Sequence, residues 1–299
     1  MYLLVYEFPR ELFIEESDQI SRLTHLPLEE ISAFKEELSL LMLENVKYDC
    51  LIPKIKVSFG LPELDLIVGR GLPMNSITEV YGSAGSGKSQ LCFQLASNVL
   101  KNDENAKILF ISTQERFPIE RLMSMLGPFA DKSCLDRFHI EYFLDSEVES
   151  HFFHYSIFEM MKAFNYKLII FDSIASNSRN IENIFEKSEH INSIIASFKR
   201  IFLYFEVCVL IINQVTDVPS ELELESLKTS ALGLTLENNV NLKIFLEKTK
   251  KLNERKIYVK KTLFSTPTTG YFIISSEGLK GSGESENRIG TIGHFDHDI

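Results

Sequence analysis

The stretch that most constrains this chain is ITEVYGSAGSGKSQL, Ile77 to Leu91. Within it Gly82-Ser83-Ala84-Gly85-Ser86-Gly87-Lys88-Ser89 fits the phosphate-loop template G-x-x-x-x-G-K-[S/T], directly after a short apolar strand (Ile77 to Tyr81) and directly before a helix. The glycines let the backbone adopt positive φ, so successive N–H groups converge on an anion while the new helix points its positive dipole end at the same spot. Lys88 is then placed to reach the β- and γ-phosphates and Ser89 to hold Mg²⁺ through its hydroxyl. A Gly/Ser-rich turn with no ligand is the plain alternative, but every fixed position of the template and both flanks are filled.

The chain is long and apolar enough, at 299 residues and 44% hydrophobic, for one large domain and a small second one. No apolar run reaches the roughly 18 to 20 residues of a membrane span, and Glu7 and Pro9 interrupt the apolar N-terminus too soon for a signal peptide, so an intracellular protein is expected, with no membrane partner. Cys50, Cys92, Cys134 and Cys208 are widely spaced, which predicts reduced, packed thiols rather than zinc or a disulfide framework. The net charge of −11 has the wrong sign for a protein that coats DNA with its whole surface.

Residues 1–45 read as a small helical unit, with Leu28, Ile31, Phe34, Leu38 and Leu41 at helical spacing behind Pro27. Periodicity lapses and Pro53 interrupts over 46–57, a linker; 58–279 is the core; from Lys280 to residue 299, Gly, Ser and charged residues predict a disordered tail. In the core, apolar runs at Ile108 to Ser112 and Lys167 to Asp172 read as strands buried on both faces, with Phe138 to Phe143 and Val207 to Ile212 as further strands. Helices are predicted after Lys88, over Pro118 to Leu126, from a capping box at Ser146 and Glu149 to about Phe164, and over Ile181 to Phe205. Alternating strands and helices imply an α/β fold with a mostly parallel sheet. After Asn239 the period becomes two, which predicts antiparallel strands added at one edge.

Leu168-Ile-Ile-Phe-Asp172-Ser173 has the form of a buried strand delivering an Asp to the edge beside the phosphate loop, where it can hold Mg²⁺ through water. No Asn-Lys-x-Asp guanine-reading motif follows, which favours ATP over GTP. Ser76 to Leu95, Ile111 to Leu122, Leu168 to Ser173, Ile211 to Val215 and Ala231 to Thr235, in this order, resemble the ATPase core of the RecA superfamily. Within it, Phe117-Pro118, the Ala231-Leu232-Gly233 block and the Ile274-Ser-Ser-Glu-Gly278 ending are similar to the eukaryotic recombinase paralogues, over about residues 58 to 280.

The resemblance implies a RecA-like P-loop core behind a small helical N-terminal domain. It places ATP and Mg²⁺ at Lys88, Ser89 and Asp172, a basic side chain near the adenine at Arg121, and a γ-phosphate sensor at Gln214. An exposed helix charge and a polar strand cap are the plain readings of the last two. The water-activating Glu of the active members falls on Gln114 here; an amide orients water but cannot take its proton, so slow hydrolysis is expected unless Glu115 substitutes by a slip of one residue. The two DNA loops, about Asn177 to Glu189 with Arg179 and about Thr216 to Thr229 with Lys228, carry an excess of acids that should grip single-stranded DNA poorly outside a complex. Basic charge gathers instead at Lys248, Lys250, Lys251, Arg255, Lys256, Lys260 and Lys261, as a solvated hairpin face or a DNA-facing one. The polymerising Phe-x-x-Ala is replaced by Tyr48-Asp-Cys-Leu51, which points to pairing with one related paralogue rather than long homofilaments. The resemblance thus implies a nuclear, ATP-binding mediator of homologous recombination, a heterodimer that assists the main recombinase filament on single-stranded DNA. A strand-exchange ATPase in its own right and a nucleotide-independent scaffold are the alternatives.

Overall fold

Runs of β-branched and aromatic residues lie side by side in one large sheet, and the helices between them cover both of its faces. The structure, a computed structural model, describes residues 21, 25–33, 35, 56–113, 117–179, 181, 183–218, 227–262, 268–282 and 290–291. The chain divides into two compact units, Met1–Pro53 and Lys54–Ile299. Of the first, the described residues form a helix over 28–33 directly after Pro27, with Ile31 buried and Glu29 and Glu30 exposed. Phe34, Leu38, Leu41 and residues 46–55 of the expected linker lie outside the described residues.

The second unit opens with β1 (Lys56–Val57), α1 (Pro62–Ile67), β2 (Leu72–Pro73), β3 (Ser76–Gly82) and α2 (Lys88–Asn102). It continues through β4 (Ile108–Ser112), α3 (Ile119–Leu126), α4 (Lys132–Leu135), β5 (Phe138–Tyr142), α5 (Ser146–His151), α6 (Ile157–Phe164) and β6 (Leu168–Asp172). Then come α7 (Ile174–Ser178), α8 (Ile184–Phe202), β7 (Cys208–Asn213), β8 (Val215–Val218), β9 (Leu227–Ser230), α9 (Gly233–Glu237), β10 (Leu242–Lys248), β11 (Glu254–Thr262), β12 (Thr268–Ser275), β13 (Gly278–Gly281) and β14 (Gly290–Thr291). The main sheet has the order β13-β12-β11-β10-β3-β7-β6-β4-β5, with β14 beside β12. From β10 to β5 all neighbours are parallel; β11, β12 and β13 add antiparallel.

Period-two alternation divides the core in two. Phe110, Ile170, Leu210 and Ile244 point to one face with Leu91, Leu95 and Leu122 from α2 and α3. Leu109, Ile169, Val209 and Ile211 point to the other with Met161, Ile191, Ile194 and Phe198 from α6 and α8. Helix α8 buries Ile191, Ile194, Ile195, Phe198 and Ile201 along one stripe, each contributing about 1.5–3 kcal/mol of transfer free energy. The thiols of Cys92, Cys134 and Cys208 are free and buried, and burial pushes their pKa values up.

Several expectations change. Strand β10 pairs parallel with β3, so the antiparallel run begins at β11; a period of two reports which face is buried and carries no direction. Helix α8 starts at Ile184 because the Asn183 side chain accepts from Phe185 N–H at 2.9 Å, and it ends at Phe202. The cap of α5 is Asp145, accepting from the N–H groups of Glu147 (2.8 Å) and Val148 (3.2 Å); Glu149 is buried and bonded elsewhere, so the box at Ser146 does not form. Beyond Lys280 the sheet still recruits chain: β13 runs to Gly281, and β14 pairs Thr291 with Thr268. Composition cannot register the free flank of β12 that these segments pair with. Residues 283–289 and 292–299 lie outside the described residues.

Candidate functional site

Strand β3 delivers the phosphate loop to the C-terminal edge of the sheet, and two glycines turn it into α2. Gly85 has φ 70° and Gly87, the residue before the helix, φ 102°, both in the left-handed region. At Gly82 a Cβ would lie 2.4 Å from the Leu246 carbonyl oxygen and 2.6 Å from Ser86 Oγ, so only glycine lets β10 approach there. Lys88 Nζ folds back to donate to the carbonyl oxygens of Gly82 (2.7 Å) and Ser83 (3.0 Å). Burial pushes its pKa down, against the upward pull of Asp172. One residue on, Ser89 Oγ donates to Asp172 Oδ2 at 2.9 Å. Asp172 ends β6, and burial pushes its carboxyl up while the Ser89 hydrogen bond and the Lys88 charge pull it down.

These residues fit a nucleotide triphosphate with Mg²⁺: a loop free of Cβ atoms at its turning points, a lysine with no carboxylate within ion-pair distance among the described residues, and a hydroxyl-carboxylate pair. Among the described residues no group of three or more His, Cys, Asp or Glu is placed to hold a metal ion.

A cleft of about 570 Å³ runs from the loop between Gly87, Ser89, Gln90, Arg121, Arg255 and Ser275. Arg121, on α3, donates through Nε to Gln90 Oε1 (2.7 Å) and through Nη2 to the Ser275 carbonyl (2.7 Å), so it is a wall of the cleft rather than a free helix charge. Phe117, packed at 4.7 Å on Phe110 and 5.3 Å on Phe93, holds the start of that helix. Gln114 and Glu115 lie outside the described residues. Thr113, just before them, donates its N–H to the Asp172 carbonyl at 3.0 Å.

On the other side, β7 ends with Asn213 paired to Tyr81, so Gln214 follows level with Gly82. Gln214 Oε1 accepts from Arg179, which brings those two together. Asn213 Nδ2 donates to Glu79 Oε1 (2.7 Å) and to the Ala231 carbonyl, and Ala231 N–H donates to the Gln214 carbonyl at 2.7 Å. Glu79 is fully buried within β3, and burial raises its pKa against the pull of Lys243, whose Nζ lies 3.8 Å away. Much of the first segment expected to be a DNA loop is helical: Asn177 and Ser178 belong to α7 and are buried, and residues from Ile184 belong to α8. The second is flanked by a two-stranded sheet in which Lys228 pairs with Asp217, and residues 219–226 lie outside the described residues.

Sequence reasoning missed Glu79 and Lys243, whose only signal was one charge inside each apolar strand, SITEVY and LKIF. Lys248 and Arg255 do lie on the β10–β11 hairpin, but they also border the phosphate loop, which neither the solvated nor the DNA-facing reading of that hairpin included.

A phosphate loop and a strand-end Asp at the same edge of this mixed sheet define a RecA-like P-loop core. The Rad51 family model matches residues 53–281, and the chain belongs to the Rad51 family. It is similar to "DNA repair protein rhp57" of Schizosaccharomyces pombe, 26% identical over 291 residues, covering 80% of this chain and 81% of that one. It is also similar to "DNA repair and recombination protein RadA" of Aeropyrum pernix, 29% identical over 224 residues and 67% of each chain. In fold it matches a crystal structure of the RadB recombinase, with TM-score 0.64 and 23% identity, over 75% of this chain and 99% of that one.

Proposed function

We propose that this chain is an ATP-binding recombinase paralogue that acts as a mediator in homologous-recombination repair in the nucleus. It works as a heterodimer with another paralogue and stabilises the main recombinase filament on single-stranded DNA. The single observation that carries the nucleotide part is the preformed edge: glycines in left-handed conformation, Lys88 turned onto the loop, and Ser89 paired with Asp172 at 2.9 Å. The likeness to a fission-yeast DNA repair protein and to an archaeal DNA repair and recombination protein supports the repair role.

In this reading the N–H groups of Gly85 to Ser89 would cradle the phosphates, Lys88 would exchange its two carbonyl acceptors for phosphate oxygens, and Ser89 and Asp172 would hold Mg²⁺, which would supply neutralisation of phosphate charge. Arg121 lines the base end of the cleft, and Gln214 answers to the γ-phosphate and passes the change to Arg179. Gln114 orients water without removing its proton, so turnover is slow, and the acidic segments around Arg179 and Lys228 engage DNA only within the assembled complex.

Titration calorimetry of the full chain with Mg²⁺ and ATP tests the reading: saturable binding is expected, weakened about tenfold to a hundredfold by Lys88→Ala. Wild-type protein that shows no binding, alone or with its co-purified partner, sinks it. Gln114→Glu should raise ATP turnover; a wild-type rate matching that of an active recombinase and abolished by Glu115→Gln would assign the base to Glu115 instead.

A further inference from the structure

Strand β10 lies against β3 with Leu246 opposite Gly82, so the chain leaving β10 continues alongside the phosphate loop. Lys248, the last residue of β10, sits with its Nζ 2.9 Å from where a Cβ on Gly85 would be. Directly across the hairpin, in register with Lys248, is Arg255 on β11. Its Cγ lies 3.5 Å from where a Cβ on Gly87 would be, beside Ile274 and Phe272, and it lines the cleft. Two like charges directly opposite each other on neighbouring strands repel. Among the described residues no carboxylate lies within ion-pair distance of either: Glu254 pairs with Lys251 at 3.7 Å, and Arg255 Nη1 donates only to the backbone carbonyl of Glu254 at 2.8 Å. Arg255 Nε is buried and has no partner. A repelling pair, a buried unpartnered donor and a third cation, Lys88, thus converge on one loop whose backbone already presents N–H groups.

We propose that Lys248 and Arg255 are ligands of the nucleotide's phosphates, contributed by the same chain that contributes the phosphate loop. The polyanion separates and neutralises the two like charges, and Arg255 gains an acceptor for its fork. This rests on the reading of the cleft as a nucleotide site and adds to it a source of phosphate affinity that needs no neighbouring subunit. Lys260, exposed further along β11 over the rings of Tyr258 and Phe245, has no part in it.

The test is titration calorimetry of the full chain with Mg-ATP and with Mg-ADP, for wild type, Arg255→Gln, Arg255→Lys, Lys248→Gln and Lys260→Gln, with thermal melts of each. Arg255→Gln and Lys248→Gln should each raise the Kd at least about tenfold, and Arg255→Lys should recover part of the loss. Lys260→Gln should bind as wild type, and the salt dependence of binding should flatten in the first two variants. If Arg255→Gln fails to fold, the exposed Lys248 decides the matter alone. Wild-type protein that binds while both glutamine variants keep the wild-type Kd overturns this inference and leaves the nucleotide site standing. Wild-type protein that does not bind at all overturns the nucleotide reading itself.

Discussion

Ser89 meets Asp172 at 2.9 Å because α2 starts where β3 ends, two strands away from β6 along the same sheet edge. The carboxyl is buried to be in that place, and its pKa is raised above the ordinary aspartate value for that reason. Below the unfolded value both states are protonated and nothing is gained or lost; as pH rises through the raised folded value, the ionised group penalises the native state. Asp172→Asn should therefore leave the melting temperature of the ligand-free protein unchanged at acid pH and raise it at neutral pH. The same change should weaken Mg²⁺-dependent nucleotide binding, since an amide is a poorer ligand than a carboxylate. A melting temperature that falls at neutral pH would contradict the account. Metal affinity in wild type should also begin to fade at a higher pH than an ordinary aspartate would allow.

Helices α5, α7 and α8 are joined by a buried polar seam. Glu149 on α5 is fully buried, accepts from Asn177 on α7 and lies 3.5 Å from His190 Nε2 on α8, while Ser150 Oγ and His190 Nδ1 are 2.9 Å apart. Glu149→Ala removes one of the two acceptors of the Asn177 amide, which keeps the Phe143 carbonyl at 3.0 Å, and takes the carboxylate away from His190 Nε2, and should cost about 1–3 kcal/mol in urea unfolding. Asp145→Ala, which removes the true cap of α5, should cost about 1 kcal/mol, whereas Ser146→Ala should cost little. Both carboxylates show where local reading stops. Ser146 and Glu149 have the spacing of a capping box, but Asp145 is one residue earlier and Glu149 is claimed by helices far away in sequence. The phosphate loop was legible because its function is carried by contiguous backbone, and Asp172 because a buried run must end somewhere polar. Lys248 and Arg255 looked like surface charges because their neighbour is set by the pairing of β10 with β3, which no local pattern encodes. Gln114, read from the sequence as a departure from a family pattern, lies outside the described residues.

At the scale of the molecule, the division at Pro53 and Lys54 leaves both hydrophobic clusters and every described site residue in the larger unit. A fragment beginning at Lys54 should unfold cooperatively and bind Mg-ATP with the affinity of the full chain; loss of binding would assign part of the site to the first 53 residues. The dipeptide Asn213-Gln214 stands at the end of β7. Its side chains and carbonyl hold Glu79 beneath the phosphate loop, Arg179 beyond α7, and Ala231 at the entry to α9. Three stretches far apart in sequence are thereby tied to one anchor at the end of β7.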